Sequence, residues 1–151
     1  MKIIETKTLA IEDIKIIKFE KFSDNSGYFI ETFRKSMFSD LGILTNGSFA
    51  QSNESYSKKG VVRGLHFQWN PYMGKLVRTI KGHMIDMVLD IRKGSDTYGC
   101  LLLYNMKAEP KFNYSEWIWI PPGFAHGNFF LEETIIEYFC SGSYNPNCEA
   151  S

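Results

Sequence analysis

Met84-Ile85-Asp86-Met87-Val88-Leu89-Asp90-Ile91-Arg92 is the stretch that decides the fold class. Ile85, Met87, Leu89 and Ile91 fall on one face, and Asp86, Val88, Asp90 and Arg92 on the other. A period of two marks a β-strand, because successive side chains point to opposite faces of the backbone. Gly82 before the run and Lys93-Gly94-Ser95 after it read as turns. Outward from it, residues 14–22, 28–33, 100–106, 117–120 and 134–141 are rich in β-branched and aromatic side chains and read as further strands. Helical signal is confined to residues 35–41, stopped by Gly42. No repeat, low-complexity tract or linker interrupts the chain. Short strands at this spacing predict an all-β fold, an antiparallel jelly roll, sandwich or barrel with little helix.

With 151 residues the chain reads as a single domain over 1–151, large enough to bury one core. Apolar residues make 44 % and aromatics 15 %, which predicts a globular protein with a core or pocket built from rings. Lys and Arg balance Asp and Glu at 17 each, so charge makes no case for a nucleic-acid groove or an anionic membrane. No stretch approaches the ~20 apolar residues of a membrane span. Met1-Lys2-Ile3-Ile4-Glu5 lacks the apolar run of a signal peptide. Cys100, Cys140 and Cys148 are odd in number and lack metal-type spacing, which predicts free thiols in the cytoplasm.

Chemistry concentrates in Arg63-Gly64-Leu65-His66-Phe67-Gln68 and Lys75-Leu76-Val77-Arg78. An imidazole exchanges protons near neutral pH, and a fixed cation holds a developing negative charge. Together they suit removal of a proton next to a carbonyl; surface cations around a structural His are the alternative. His66 and Gln68 share a strand face, whereas Arg63 points the other way unless Gly64 marks a bulge. Tyr138 lies in the apolar run Ile135-Ile136-Glu137-Tyr138-Phe139, either as a general acid or as a core Tyr with a bonded hydroxyl. Gln51, Asn53 and Ser55 put three neutral polar groups on one strand face, suited to sugar hydroxyls or a base edge, or simply to solvent. His126 ends Pro121-Pro122-Gly123-Phe124-Ala125-His126, which resembles the second signature of the cupin jelly rolls, where that His is often a metal ligand. Where cupins place His-x-His, this chain reads His66-Phe67-Gln68, and an amide is a poor ligand for zinc or iron. No metal or other cofactor is therefore expected.

Taken together, these residues resemble the dTDP-4-dehydrorhamnose 3,5-epimerase family of cupin-fold sugar-nucleotide epimerases. The matching pieces are Asp24-x-x-Gly27-Tyr28-Phe29-x-Glu31, Gln51-x-Asn53-x-Ser55, the Arg63–Gln68 and Lys75–Arg78 stretches, Asp86-x-Val88-x-Asp90-x-Arg92, the Pro121–His126 turn and Tyr138-x-Cys140. The resemblance implies an enolate reaction on a nucleoside-diphosphate 4-keto-6-deoxyhexose. His66 would be the base, Tyr138 the acid, and Lys75 the cation at the keto oxygen. Arg63, Gln51, Asn53, His126 and Gln68 would contact the substrate. Members are homodimers that exchange N-terminal strands, so Phe29 and Glu31 would complete the neighbour's site.

Two features depart from the family pattern. Ser26 stands where an Arg usually contacts the nucleotide. The family also continues some tens of residues past Glu149 and holds there a carboxylate paired with the catalytic His. A shortened chain, a substitute carboxylate at Asp86 or Asp90, and a reduced epimerase acting at one carbon are the three readings. A 3,4-ketoisomerase would need two nearby His on one strand, which His66-Phe67-Gln68 does not supply. A non-catalytic sugar-nucleotide binding protein is the reading from a different class.

Overall fold

The computed structural model describes residues 1–43 and 47–151. Its strands are β1 (Ile3–Thr8), β2 (Lys15–Glu20), β3 (Phe22–Asp24), β4 (Gly27–Phe29), β5 (Gln51–Ser57), β6 (Val62–Gln68), β7 (Lys75–Asp90), β8 (Leu101–Ala108), β9 (Tyr114–Ile120), β10 (Phe124–Phe130), β11 (Thr134–Cys140) and β12 (Glu149–Ala150). One short helix, α1 (Lys35–Asp40), falls where residues 35–41 predicted it. The expected jelly roll of antiparallel strands is the fold observed. No helix among the described residues is long and apolar enough to cross a membrane.

The long strand β7 organises everything. Its first half pairs with β9 and β11, building a layer that runs β1-β2-β9-β7-β11-β5. Its second half pairs with β8 and β10, building a layer that runs β8-β7-β10-β6-β12. Gly82 lies between the halves, and here the structure corrects the expected turn: the strand continues through it without a break. Its φ is +97°, and a Cβ there would sit 2.3 Å from the Glu133 carbonyl oxygen. Only glycine allows the kink that carries one strand from layer to layer.

Ile16, Val77, Met84, Val88, Ile118 and Phe130 fill the space between the layers. A second apolar cluster lies on the outer face of the first layer. There Phe38 of α1, with Phe33 and Phe49, covers Leu76, Trp117 and Phe139. The Trp117 indole N–H donates to the Thr32 carbonyl at 2.7 Å, which pins the segment after β4. The strand expected over 28–33 accordingly ends at Phe29. β1 escaped sequence reading because it is a polar edge strand, exposed from Ile4 onward.

Apolarity alone would send Ile85, Met87 and Leu89 of the alternating run inward. The observed order is the reverse: Met84, Asp86, Val88 and Asp90 are buried. Burial of the two carboxylates is tolerated because each is saturated with hydrogen bonds. Ile85, Met87 and Leu89 are left on an outer face beside exposed Val62, Leu101 and Leu103.

Candidate active site

A cavity of about 650 Å³ opens between the layers, walled by β5, β6, β7, β10, β11 and the segment leading to β12. That volume falls in the range of small-molecule sites. His66, Arg63, Lys75, Tyr138, His126 and Gln68 all line it. Gln51, Asn53 and Ser55 line it too, so their shared strand face turns toward the cavity rather than toward solvent.

Arg63 and His66 reach one cavity through the bulge expected at Gly64. Opposite β10, His66 pairs with His126 and Arg63 with Asn128, so three steps on β6 match two on β10. Gly64 has φ +91°, and a Cβ there would lie 2.6 Å from the His126 carbonyl oxygen. Gly127 faces it with equal economy: a Cβ there would lie 2.5 Å from the Arg63 carbonyl oxygen. The Arg63 Nε donates to Ser57 Oγ at 2.8 Å, which aims the guanidinium along the cavity wall.

Lys75 and Tyr138 come from neighbouring strands, in register with Cys140 and Val77 respectively. Burial pushes the Lys75 ammonium below the usual lysine range, against the pull of Cys140, Glu149 and Asp86. Among the described residues no carboxylate lies within ion-pair distance of it. Burial pushes the Tyr138 phenol the other way, above the usual tyrosine value, with Arg63 opposing. The site thus holds a cation disposed to lose its charge and an acid disposed to keep its proton. Burial also raises the Cys140 thiol.

His126 Nε2 lies 2.9 Å and 3.1 Å from the two Asp86 oxygens, and Asn128 Nδ2 donates to Asp86 at 3.1 Å. Asp90 accepts from Arg92 Nη2 at 2.7 Å, Ser95 Oγ at 2.8 Å and Thr97 Oγ1 at 2.6 Å, and is held well below the usual carboxylate range. Neither is hydrogen-bonded to His66. This disfavours one of the three readings, the substitute carboxylate at Asp86 or Asp90: Asp86 serves His126, and Asp90 ties down the turn after β7. The carboxylate near His66 is Glu149, with Oε1 3.7 Å from Nδ1.

Gln68 uses its whole amide on backbone. Nε2 donates to the Pro71 and Ser143 carbonyls at 3.0 Å and 3.1 Å, and Oε1 accepts from the Asn145 N–H at 2.8 Å. It fastens Ser143 and Asn145, on either side of Tyr144 in the cavity wall. Phe29 and Glu31 lie outside the cavity of their own chain. Phe29 is 70 % exposed on β4. Glu31 pairs with Arg34 at 2.6 Å and with the Met1 amino group. Sequence reasoning gave no role to Glu149 or Tyr144, which also line the cavity. They arrive through pairing of β12 with β6, for which local spacing carries no signal. Among the described residues no three His, Cys, Asp or Glu side chains converge as metal ligands.

Fold and cavity together define a class: a cupin-type jelly roll whose interior brings an imidazole, an ammonium and a phenol to one space. The sequence profile of the dTDP-4-dehydrorhamnose 3,5-epimerase family matches residues 8–151, and the chain belongs to that family. It is 39 % identical over 150 residues to dTDP-4-dehydrorhamnose 3,5-epimerase of Neisseria gonorrhoeae, a match covering 99 % of this chain and 43 % of that protein. It is 42 % identical to the enzyme of the same name from Methanothermobacter thermautotrophicus, covering 89 % of this chain and 70 % of that one. The chain thus spans less than half the length of the first relative and about two thirds of the second. Its structure is similar to that of dTDP-6-deoxy-D-glucose-3,5-epimerase from Legionella pneumophila in complex with dTDP-4-keto-L-rhamnose. The TM-score is 0.90 at 36 % identity, covering 97 % of this chain and 76 % of that one.

Proposed function

We propose that this chain inverts C3, C5 or both of a dTDP-linked 4-keto-6-deoxyhexose through an enolate. The carrying observation is that His66, Lys75 and Tyr138, from three strands, line one cavity in a chain of this family. The 4-keto group acidifies the C–H bonds on either side of it. His66 takes the proton, and the electron pair moves to the keto oxygen. Lys75 faces that oxygen; removing such a partner costs ~10²–10³ in rate. Tyr138 returns a proton to the opposite ring face, and solvent resets base and acid. Gln51, Asn53 and Arg63 hold sugar and nucleotide, and His126 borders the reacting ring. The chemistry needs no oxidant, because the carbon regains the proton count it lost.

A 3,4-ketoisomerase is disfavoured by Gln68, whose amide is bound to backbone and offers no second base. The 151 residues act as one jelly-roll unit in this reading. Three free thiols fit a cytoplasmic enzyme. A homodimer is supported by two features: the outer apolar face around Val62, Leu101 and Leu103, and the wholly exposed β3–β4 hairpin. The hairpin would carry Phe29 and Glu31 to the partner's cavity.

The test is the product. With dTDP-4-keto-6-deoxyglucose, proton NMR should show new coupling constants at C3, C5 or both. Tight binding with an unchanged sugar would favour the non-catalytic reading, and a 3-keto product the ketoisomerase.

A further inference from the structure

A second, smaller cavity of about 100 Å³ opens where the first layer splits. β9 pairs with β2 from Tyr114 to Trp119, but with β7 only from Ile118 to Ile120. Beyond Val77 the strand β7 bends away toward the other layer, and a notch is left between it and β9. Lys21, Tyr28, Arg78, Thr79 and Glu116 are among the residues that line it, and none of them lines the large cavity.

The polar groups of this notch are short of partners. Lys21 is only 9 % exposed, yet among the described residues no carboxylate pairs with it. Its Nζ donates to a neutral group, the Glu109 carbonyl, at 3.1 Å, and lies 4.6 Å from the centre of the Tyr28 ring. Burial, and then the like charge of Arg78, push its ammonium below the usual lysine range. Arg78 engages Glu137 through Nε, at 2.7 Å. Thr79 is 4 % exposed, and its Oγ1 is buried with no hydrogen-bond partner among the described residues. A buried cation without a counter-charge and an orphaned hydroxyl are both costly.

We propose that the notch binds a small inorganic oxyanion, of the phosphate or sulfate class, between Lys21 and Arg78, with the Thr79 hydroxyl as a further donor. The volume is about three waters at ~30 Å³ each, room for such an ion and too little for a sugar nucleotide. Glu116 is the one carboxylate among the lining residues, and the Tyr104 hydroxyl donates to its Oε2 at 3.0 Å. Lys21 immediately precedes β3, so a bound anion would tie the root of the β3–β4 hairpin to β7.

The test is titration of the whole chain with inorganic phosphate by calorimetry, beside thermal unfolding in phosphate and in chloride at equal ionic strength. The variants are Lys21→Met, Thr79→Val and, in the large cavity, Arg63→Gln. Wild type and Arg63→Gln should bind phosphate with equal affinity and unfold at a higher temperature in phosphate than in chloride. Lys21→Met should bind roughly tenfold more weakly or worse, as loss of a charged hydrogen bond implies, and Thr79→Val should also bind more weakly. In chloride Lys21→Met should be at least as stable as wild type, because it removes a buried, uncompensated charge. Absence of phosphate binding by the wild type would overturn the site. An equal gain in stability in Lys21→Met would also overturn it, since exclusion of phosphate from the surface stabilises any fold. Loss of binding in Arg63→Gln alone would place the anion in the large cavity and overturn it as well.

Discussion

Lys75 brings its charge into a cavity wall where, among the described residues, no carboxylate pairs with it, and Tyr138 stands on the next strand with its proton held more tightly than usual. The two shifts have opposite consequences as pH rises. A lysine normally loses its proton near ~10.4 and a tyrosine near ~10. With Lys75 lowered and Tyr138 raised, the cation is lost first, while the acid is still protonated. Turnover should therefore fall on the alkaline side through Lys75, earlier than an ordinary lysine would dictate. Lys75→Arg should be slower by roughly 10²–10³, because the guanidinium misfits the oxyanion position. Its alkaline limb should move to higher pH, since guanidinium stays charged past ~12. A pH–rate profile with the limb unmoved would assign it to another group. At this scale the sequence was most legible where residue type itself is chemistry: His66, Lys75, Arg63 and Tyr138 were all singled out from it, and all line one cavity. Gln68 was not legible as a clamp. Its partners Ser143 and Asn145 lie more than seventy residues away along the chain, and only the fold brings them to it. A separation of 40 residues likewise hid the pairing of His126 with Asp86.

The element that matters most is the bulged strand β6. Its extra residue puts Arg63 and His66 on one side, and Gly64 supplies the positive φ and the empty Cβ position that the bulge requires. Gly64→Ala should destabilise the fold by roughly 1–3 kcal/mol for the strained backbone, with more from the clash against β10. Urea unfolding would measure it, and catalysis should drop further than stability because the two side chains lose their common aim. Wild-type stability in that variant would mean that β6 and β10 do not approach this closely. The possibility of a bulge could be read from a single glycine between two functional residues. Its register could not, because that depends on Gly127 across the strand pair. The alternating run of β7 teaches a related lesson. Its period was plain, but which face is the core was decided by His126, Asn128, Arg92 and Thr97, which saturate the two aspartates and so permit them inside. Kinked β7 also shows why Gly82 misled: a glycine inside a strand and a glycine ending one look alike until the second layer is present.

Across the whole molecule, one layer has its outer face covered by α1 and the aromatic cluster, while the other has an outer face on which Leu101 and Leu103 are 53 % and 61 % exposed. Contiguous apolar surface of this kind marks an association site. In the homodimer proposed above, Leu103→Glu would place a charge in the contact and should convert a dimer to monomer in light scattering. A dimer of unchanged stability would place the contact elsewhere. The central claim remains chemical: one cavity removes and returns a proton at a carbon beside a ketone. Its most direct test is deuterium incorporation into dTDP-4-keto-6-deoxyglucose in deuterated water, followed by proton NMR for wild type and His66→Ala. Loss of the C3 or C5 signal in the wild type, with none above background in His66→Ala, is the predicted result. Equal exchange in both proteins would contradict the assignment of His66 as the base, and with it the mechanism.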